Sequence, residues 1–234
     1  MRTAALEQTL RVCEIYATIL GESTVAGWPG VIVRLAGCPL ECLWCDTPYA
    51  RSGGEELPLG QVLQRIQALG LPLVELTGGE PLMQPATRPL VSLLLDRGHR
   101  VVIETGGSVP IMGIDSRALI VLDVKCPGSG MHTRQVWDNL QYLKPADEIK
   151  FVLASRVDYE WARDMLQRTG LAQHHAVHFS PVEVRGATGA DQKAAGAAGI
   201  SKKELAEWIL VDRLPVRLNL QLHVWIWGPG VRGV

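Results

Sequence analysis

Three cysteines crowd into the segment Gly37-Cys38-Pro39-Leu40-Glu41-Cys42-Leu43-Trp44-Cys45-Asp46-Thr47, spaced Cys-x3-Cys-x2-Cys. Thiolates ligate iron–sulfur clusters, and three on one tight loop can hold three corners of a [4Fe–4S] cube. The fourth iron is then open, which makes the cluster a chemical site rather than an electron relay. Two other readings of the same residues stay open. Structural zinc takes four Cys or His ligands; His132, Cys126 and Cys13 are candidates for the fourth, although neither Cys126 nor Cys13 belongs to a second Cys-x2-Cys pair. That reading gives a zinc-stabilised or redox-sensing binding protein. The blandest reading is a run of ordinary buried cysteines.

A second segment, Thr77-Gly78-Gly79-Glu80-Pro81, directly follows an apolar run. Glycines allow close backbone approach, and Glu80 is suited to accept hydrogen bonds from an ammonium group. On its own the segment reads as an ordinary turn. Arg34 interrupts an otherwise apolar stretch just before the cysteine loop. A guanidinium matches a carboxylate, and a buried arginine is rarely unpaired. Thr47, two residues past the last cysteine of the loop, reads on its own as a cap or turn hydroxyl. His99, His132, His174, His175 and His178 stand beside no nucleophile motif, so triad chemistry has little support.

Elements that must position these residues follow from the hydrophobic pattern. Runs at 31–35, 73–76, 100–104, 119–124, 148–153, 176–180 and 218–222 read as strands, several of them nearly continuous Val, Ile and Leu. Such runs suit parallel strands buried on both faces. Helical stripes lie between them: Leu59, Val62, Leu63, Ile66 and Leu69 before Gly70; Leu90, Val91, Leu94 and Leu95 before Gly98; Trp161, Met165 and Leu166 before Gly170. Ser201 and Glu204 have capping-box spacing ahead of Leu205, Trp208 and Ile209. Repeated strand–helix order predicts an α/β fold with a parallel sheet. A closed eight-stranded barrel takes about 250 residues. This chain offers about six units, with the first 58 residues mostly loops and one extended segment. A partial, laterally open (β/α)6-type barrel is therefore expected, and a doubly wound open sheet is the competing architecture. The candidate residues fall at strand C-terminal ends, where such folds place chemistry.

At 234 residues with 47% apolar content the chain is expected to form one domain, 1–234. The Ala/Gly-rich stretch 185–200 has no helical stripe and reads as a mobile loop. With 23 Lys plus Arg against 24 Asp plus Glu, the formal charge of -1 argues against direct nucleic-acid binding. No apolar run approaches the roughly 20 residues that cross a bilayer, and no secretory signal is visible at the start. Five cysteines, three of them clustered, do not make a disulfide framework. A soluble, cytoplasmic protein with reduced thiols is the expectation.

The Cys-x3-Cys-x2-Cys loop resembles the signature of the radical S-adenosylmethionine (SAM) superfamily, and the Gly-Gly-Glu-Pro segment one strand later strengthens the match. The resemblance implies a partial βα barrel, a [4Fe–4S] cluster whose open iron is chelated by SAM, and reductive cleavage of SAM to a 5′-deoxyadenosyl radical. A small glycyl-radical activase would share the cysteine spacing. Further segments are similar to the 7-carboxy-7-deazaguanine synthase family: 14–23, Gly27-Trp28-Pro29-Gly30, 34–38, Cys45-Asp46-Thr47, Glu104-Thr105-Gly106-Gly107, 123–130 and 221–228. That resemblance spans Glu14 to Val234 and implies conversion of 6-carboxy-5,6,7,8-tetrahydropterin to 7-carboxy-7-deazaguanine, with ring contraction and loss of ammonia. SAM would be recycled and Mg²⁺ would assist.

The resemblance further implies roles for single residues. Cys38, Cys42 and Cys45 ligate the cluster, and Thr47 offers its hydroxyl to Mg²⁺. Ile19, Leu20 and Gly21 present backbone to the pterin, with Glu22 nearby. Arg34 faces the substrate carboxylate, and Thr77, His223 and Val234 touch substrate, His223 at the end of the last strand. As a lone histidine, His223 is as readily a core residue. Gly78, Gly79, Glu80, Lys125, Cys126, Pro127 and Ser180 contact SAM, and Glu104 and Thr105 line the pocket. Family members commonly carry Gln at the position of Leu20 and Lys at that of Val224, departures that bear on substrate affinity and not on the cluster. A homodimer and a reducing partner of flavodoxin or ferredoxin type are also implied.

Overall fold

The computed structural model describes residues 5–182, 199–228 and 230–234. Nine strands form one sheet: β1 Thr9–Ile19, β2 Pro29–Leu35, β3 Glu55–Pro58, β4 Leu73–Gly78, β5 Arg100–Thr105, β6 Leu119–Val124, β7 Glu148–Leu153, β8 Ala176–Pro181 and β9 Arg217–Leu218. Their order is β3-β1-β2-β4-β5-β6-β7-β8-β9. The β1 strand runs antiparallel to both its neighbours, and every pairing from β2 onward is parallel. The two edge strands do not pair with each other, so the sheet stays open. The α-helices are α1 Leu59–Leu69, α2 Thr87–Asp96, α3 Asn139–Tyr142, α4 Arg156–Thr169, α5 Lys202–Asp212 and α6 Leu222–Trp227, and short 3-10 turns fill several of the loops.

Local signals explain these elements. Gly70 and Gly170 close α1 and α4 in the left-handed conformation, which glycine adopts without penalty. Ser201 and Glu204 form a complete capping box on α5, each side chain bonded to the other's backbone N–H at 3.1 Å. The extended segment expected in the first 58 residues is β1, 11 residues long, with Leu10 and Val12 alternating into the core. One expectation is corrected. The strand read at 218–222 is only the two-residue β9, followed by a helix. Asn219 ends the ladder by turning its amide inward, donating to Ser180 Oγ at 3.0 Å and accepting from Ser23 N–H at 3.1 Å. The expected loop 185–200 lies outside the described residues up to 198. Its last residue, Ile200, is buried against α5, an apolar anchor that the composition of the stretch hides.

Three apolar clusters hold the fold. One packs α1 and α2 on the first half of the sheet, and a second packs α4 and α5 on the second half. The third lies inside the curve, where Leu20, Val25, Ile32, Leu73, Val102 and Val121 form an apolar plug. Leu20 and Val25 come from the β1–β2 turn. That turn reaches across to the last strands, because Glu148 on β7 accepts from the Thr24 N–H at 3.0 Å and from its hydroxyl. His178 Nε2 on β8 holds the same carboxylate from the other side at 2.6 Å.

Candidate active site

The C-terminal ends of β2 and β4–β8 surround a cavity of about 270 Å³. Leu20 and Ile32 of the apolar plug line its floor, and β2, β4, β5 and β6 turn polar one step higher on the same face, whereas β7 is charged at both steps, Glu148 and Lys150. Ile32 is followed by Arg34, Leu73 by Glu75 and Thr77, Val102 by Glu104, and Val121 by Asp123. A period of two keeps each series pointing inward. The sequence therefore builds a dry floor under a charged ring.

Cys38, Cys42 and Cys45 are free thiols, partly exposed, on the wall of this cavity. Their loop is tied down by hydrogen bonds from Gly37 N–H to Ala50 O at 2.8 Å, Leu43 N–H to Ser129 O at 3.2 Å and Arg51 Nη2 to Cys42 O at 3.1 Å. Burial pushes the Cys38 and Cys42 thiols up, while the Leu40 N–H draws the first back and the Lys125 ammonium the second. Metal ligation displaces such a proton. Among the described residues no three Cys, His, Asp or Glu side chains are placed to hold a single ion. Three free thiols from one loop, all lining one cavity, suit a multi-iron cluster with one corner open.

The Thr77–Pro81 segment lies against the cysteine loop. Gly79 N–H donates to Leu35 O at 2.9 Å and Glu80 N–H to Gly37 O at 2.7 Å. A Cβ on Gly79 would fall 2.0 Å from Gly37 O, and one on Gly78 2.2 Å from Leu35 O. These glycines thus admit a neighbouring backbone, although Gly78 and Gly79 also line the cavity. Glu80 is corrected from a free acceptor to an internal tie. It is 1% exposed, and its carboxylate accepts from Leu82 N–H at 3.0 Å, Gly106 N–H at 2.9 Å and the Thr105 hydroxyl at 2.8 Å.

Lys150 is the centre of the charged ring. Its Nζ lies 2.6 Å from Glu22, in contact with Glu104 and 3.9 Å from Asp123. Burial would depress this ammonium, but Glu104, Glu22 and Asp123 hold it well above its ordinary value. Asp123 also binds Lys125 at 2.8 Å, and Thr77 donates to Glu104 at 3.2 Å. Arg34 lies at the rim, with Nε 2.9 Å from Glu14 and Nη2 3.1 Å from the Tyr16 hydroxyl. Thr47 lines the cavity and donates to Asp46 at 2.9 Å, which uses its proton and not its oxygen lone pairs. Gln221 bridges Asp46 at 3.1 Å and Glu22 at 2.7 Å.

Ile19, Gly21, Glu22, His223, Ser180 and Val234 all line the cavity. Leu20 does so as well, but its side chain is buried in the plug and its N–H already donates to Trp28 O at 2.9 Å. That corrects its reading as a backbone donor and accounts for an apolar residue there. His223 is on α6 and not at a strand end; its ring packs over Gly21, and Leu222 N–H donates to Gly21 O at 3.1 Å. Cys126 and Pro127 are corrected too. Lys125 faces the cavity, so its neighbour Cys126 faces the opposite way and is wholly buried in the second core cluster, and neither Cys126 nor Pro127 lines the cavity.

Glu75 and Lys150 belong to none of the sequence motifs, and Asp123 enters only as the start of the 123–130 segment. Their signal is the one that marked Arg34, a charge within an apolar strand near its C-terminal end. Tyr49 and Arg232 lie outside the motifs as well. The Arg232 guanidinium lies 3.6 Å from the Tyr49 ring centroid, and Tyr49 donates to Glu14, so the chain end is fastened over the rim.

Residues 32–118 match the family model of the radical SAM superfamily. The chain is 40% identical over 231 residues to a 7-carboxy-7-deazaguanine synthase of Chlorobaculum tepidum, covering 97% of this chain and 99% of the relative. A 7-carboxy-7-deazaguanine synthase of Koribacter versatilis is 40% identical over 228 residues, covering 96% and 100%. The crystal structure of QueE from Escherichia coli superposes with a TM-score of 0.72 at 20% identity, covering 94% and 98%, which establishes the fold as the open radical SAM type. Three thiols on a loop, the Gly-Gly-Glu-Pro segment beneath them and full-length relatives agree: this chain belongs to the 7-carboxy-7-deazaguanine synthase family of the radical SAM superfamily.

Proposed function

We propose that this protein converts 6-carboxy-5,6,7,8-tetrahydropterin into 7-carboxy-7-deazaguanine with loss of ammonia, in 7-deazapurine (queuosine) biosynthesis. The observation that carries this reading is one cavity joining three open thiols to a ring of paired charges, in a chain that matches synthases of that name end to end. The same relatives favour it over the activase and zinc readings.

Cys38, Cys42 and Cys45 would hold the [4Fe–4S] cluster, with SAM against Gly78, Gly79, Lys125 and Ser180. When bound, the cluster and SAM supply a carbon radical able to remove hydrogen from a saturated carbon. The chain's own residues bind, orient and exclude water. Arg34 keeps guanidinium donors beyond those given to Glu14 and Tyr16, and these suit the substrate carboxylate. Thr47 offers an oxygen to Mg²⁺, which would neutralise that same carboxylate. Glu22 and Glu104, held in place by Lys150, accept from the amino groups of the heterocycle. Thr77, Gly21 and His223 flank the ring, and the tail from Gly230 to Val234 walls off solvent.

We further read the protein as one domain over residues 1–234, working in the cytoplasm as a homodimer and reduced by a flavodoxin- or ferredoxin-type donor. The exposed Trp225 and Ile226 on α6 support self-association, and sedimentation at micromolar concentration tests it. The deciding experiment is an anaerobic assay of reconstituted protein with SAM, dithionite, Mg²⁺ and 6-carboxytetrahydropterin. A deazapurine product is expected, abolished by Cys42→Ala together with the loss of about four irons per chain. Thr47→Ala is expected to retain the cluster and lose Mg²⁺ stimulation. Cleavage of SAM to 5′-deoxyadenosine without turnover of the pterin would refute the substrate assignment.

A further inference from the structure

The charged ring holds more carboxylates than its cations serve. Lys150 is engaged by Glu22 and Glu104, Lys125 by Asp123, and Arg34 by Glu14. Glu75 is left over. It lines the cavity from β4, between Ile32 on β2 and Val102 on β5 in the strand register, directly above the plug residue Leu73. Among the described residues its carboxyl has no ion pair within 4 Å and no side-chain hydrogen bond, whereas Glu22 and Glu104 have both.

We propose that Glu75 is a substrate-recognition residue that presents its carboxyl as a neutral acid, donating its O–H to an acceptor atom of the bound heterocycle. The proposal rests on the pterin reading above. A pterin offers a ring carbonyl and ring nitrogens as acceptors beside its N–H donors. Glu22, Glu104 and Asp123 each accept from a lysine ammonium, and two of the Lys150 donors are already used. A neutral acid above this floor supplies the donor that the acceptor edge of the heterocycle requires. An acceptor buried without a donor is costly, so this contact would also discriminate between ligands.

The surroundings favour the neutral form. Glu104 faces Glu75 from β5, Glu22 from the β1–β2 turn, Lys150 from β7, Arg34 from β2 and Tyr16 from β1. Burial first, then the Glu104 and Glu22 charges, push Glu75 up to about 8, with Lys150 and Arg34 opposing only in part. A carboxylic acid kept neutral at pH 7 to donate a hydrogen bond is an established device in enzyme sites.

The test uses cluster-reconstituted protein with SAM and no reductant, titrated anaerobically with the unreactive aromatic analogue 6-carboxypterin by fluorescence, from about pH 6 to 10. Glu75→Gln keeps a donor and cannot ionise, which also corrects for titration of the ligand. Wild-type affinity should track that of E75Q below about pH 8 and fall about tenfold per pH unit relative to it above. Glu75→Leu should bind at least about tenfold more weakly at pH 7. Parallel wild-type and E75Q profiles, or wild-type affinity in E75L, would overturn the role. Difference infrared spectra give a ligand-free readout: a protonated-carboxyl band lost on raising the pH through about 8, and absent in E75Q, is expected. Its absence from wild type overturns the neutral acid. The band without any carboxypterin binding would instead overturn the pterin reading and the recognition role that depends on it.

Discussion

The two faces of the sheet are built from the same strands by opposite rules. On the outer face, residues such as Val33, Leu76, Ile103, Leu122 and Phe151 are buried beneath helices along the whole strand length. On the inner face β2, β4, β5 and β6 are apolar lower down, at Ile32, Leu73, Val102 and Val121, and charged one step higher on the same strand, at Arg34, Glu75, Glu104 and Asp123, while β7 carries Glu148 and then Lys150. Stability thus comes from one face and from the lower half of the other. The upper inner level costs stability, since charges are taken out of water, and what it gains is an arrangement of donors and acceptors fixed before any ligand arrives.

The comparison can be broken most directly at Lys150. Lys150→Met leaves Glu22 and Glu104 facing one another unneutralised, and about 3–5 kcal/mol of unfolding free energy should be lost at pH 7. The combined change Lys150→Met, Glu22→Gln, Glu104→Gln should recover most of that in urea titrations and still fail to bind 6-carboxypterin. If the single variant were as stable as wild type, the inner ring would not be the strained level described here. On the outer face, Leu94→Ala on α2 should cost about 2–5 kcal/mol by leaving a cavity. Product turnover per folded molecule should stay at the wild-type level, because Leu94 touches only the first core cluster.

A subtler contrast comes from Glu75 and pH. Its folded-state value is raised, to about 8, so the stability tied to its protonation is complete below the unfolded carboxylate range and is lost as pH rises through about 8. Thermal melts should therefore show E75Q gaining on wild type between pH 5 and 9, with the gap closing toward acid. The smallest effect belongs to Ser201→Ala, which removes one half of the α5 capping box far from the cavity. About 1 kcal/mol should be lost, with unchanged carboxypterin affinity.

Local features of the site were readable from the chain alone. The cysteine spacing and the Gly-Gly-Glu-Pro turn are contiguous, and six parallel strands announce themselves as short runs of Val, Ile and Leu. Misreadings came where a neighbour decides. Cys126 follows a cavity residue in sequence, and the alternation that turns Lys125 inward sends Cys126 to the core. The stretch around His223 alternates like a strand, yet Asn219 stops the ladder and a helix follows. Glu75 and Lys150 were visible as charges in apolar strands. That they lie in one ring with Glu22 depends on register and on the Glu148–Thr24 contact, which joins positions more than a hundred residues apart.

The contact between Gly79 and Gly37 has a consequence for how such a protein can change. With only 2.0 Å between a would-be methyl on Gly79 and the carbonyl of Gly37, the two motifs are one mechanical part. An inserted residue in either would tilt both the thiols and the cradle beneath them. An engineer transplanting the cysteine loop into another scaffold must therefore carry its glycine partner along.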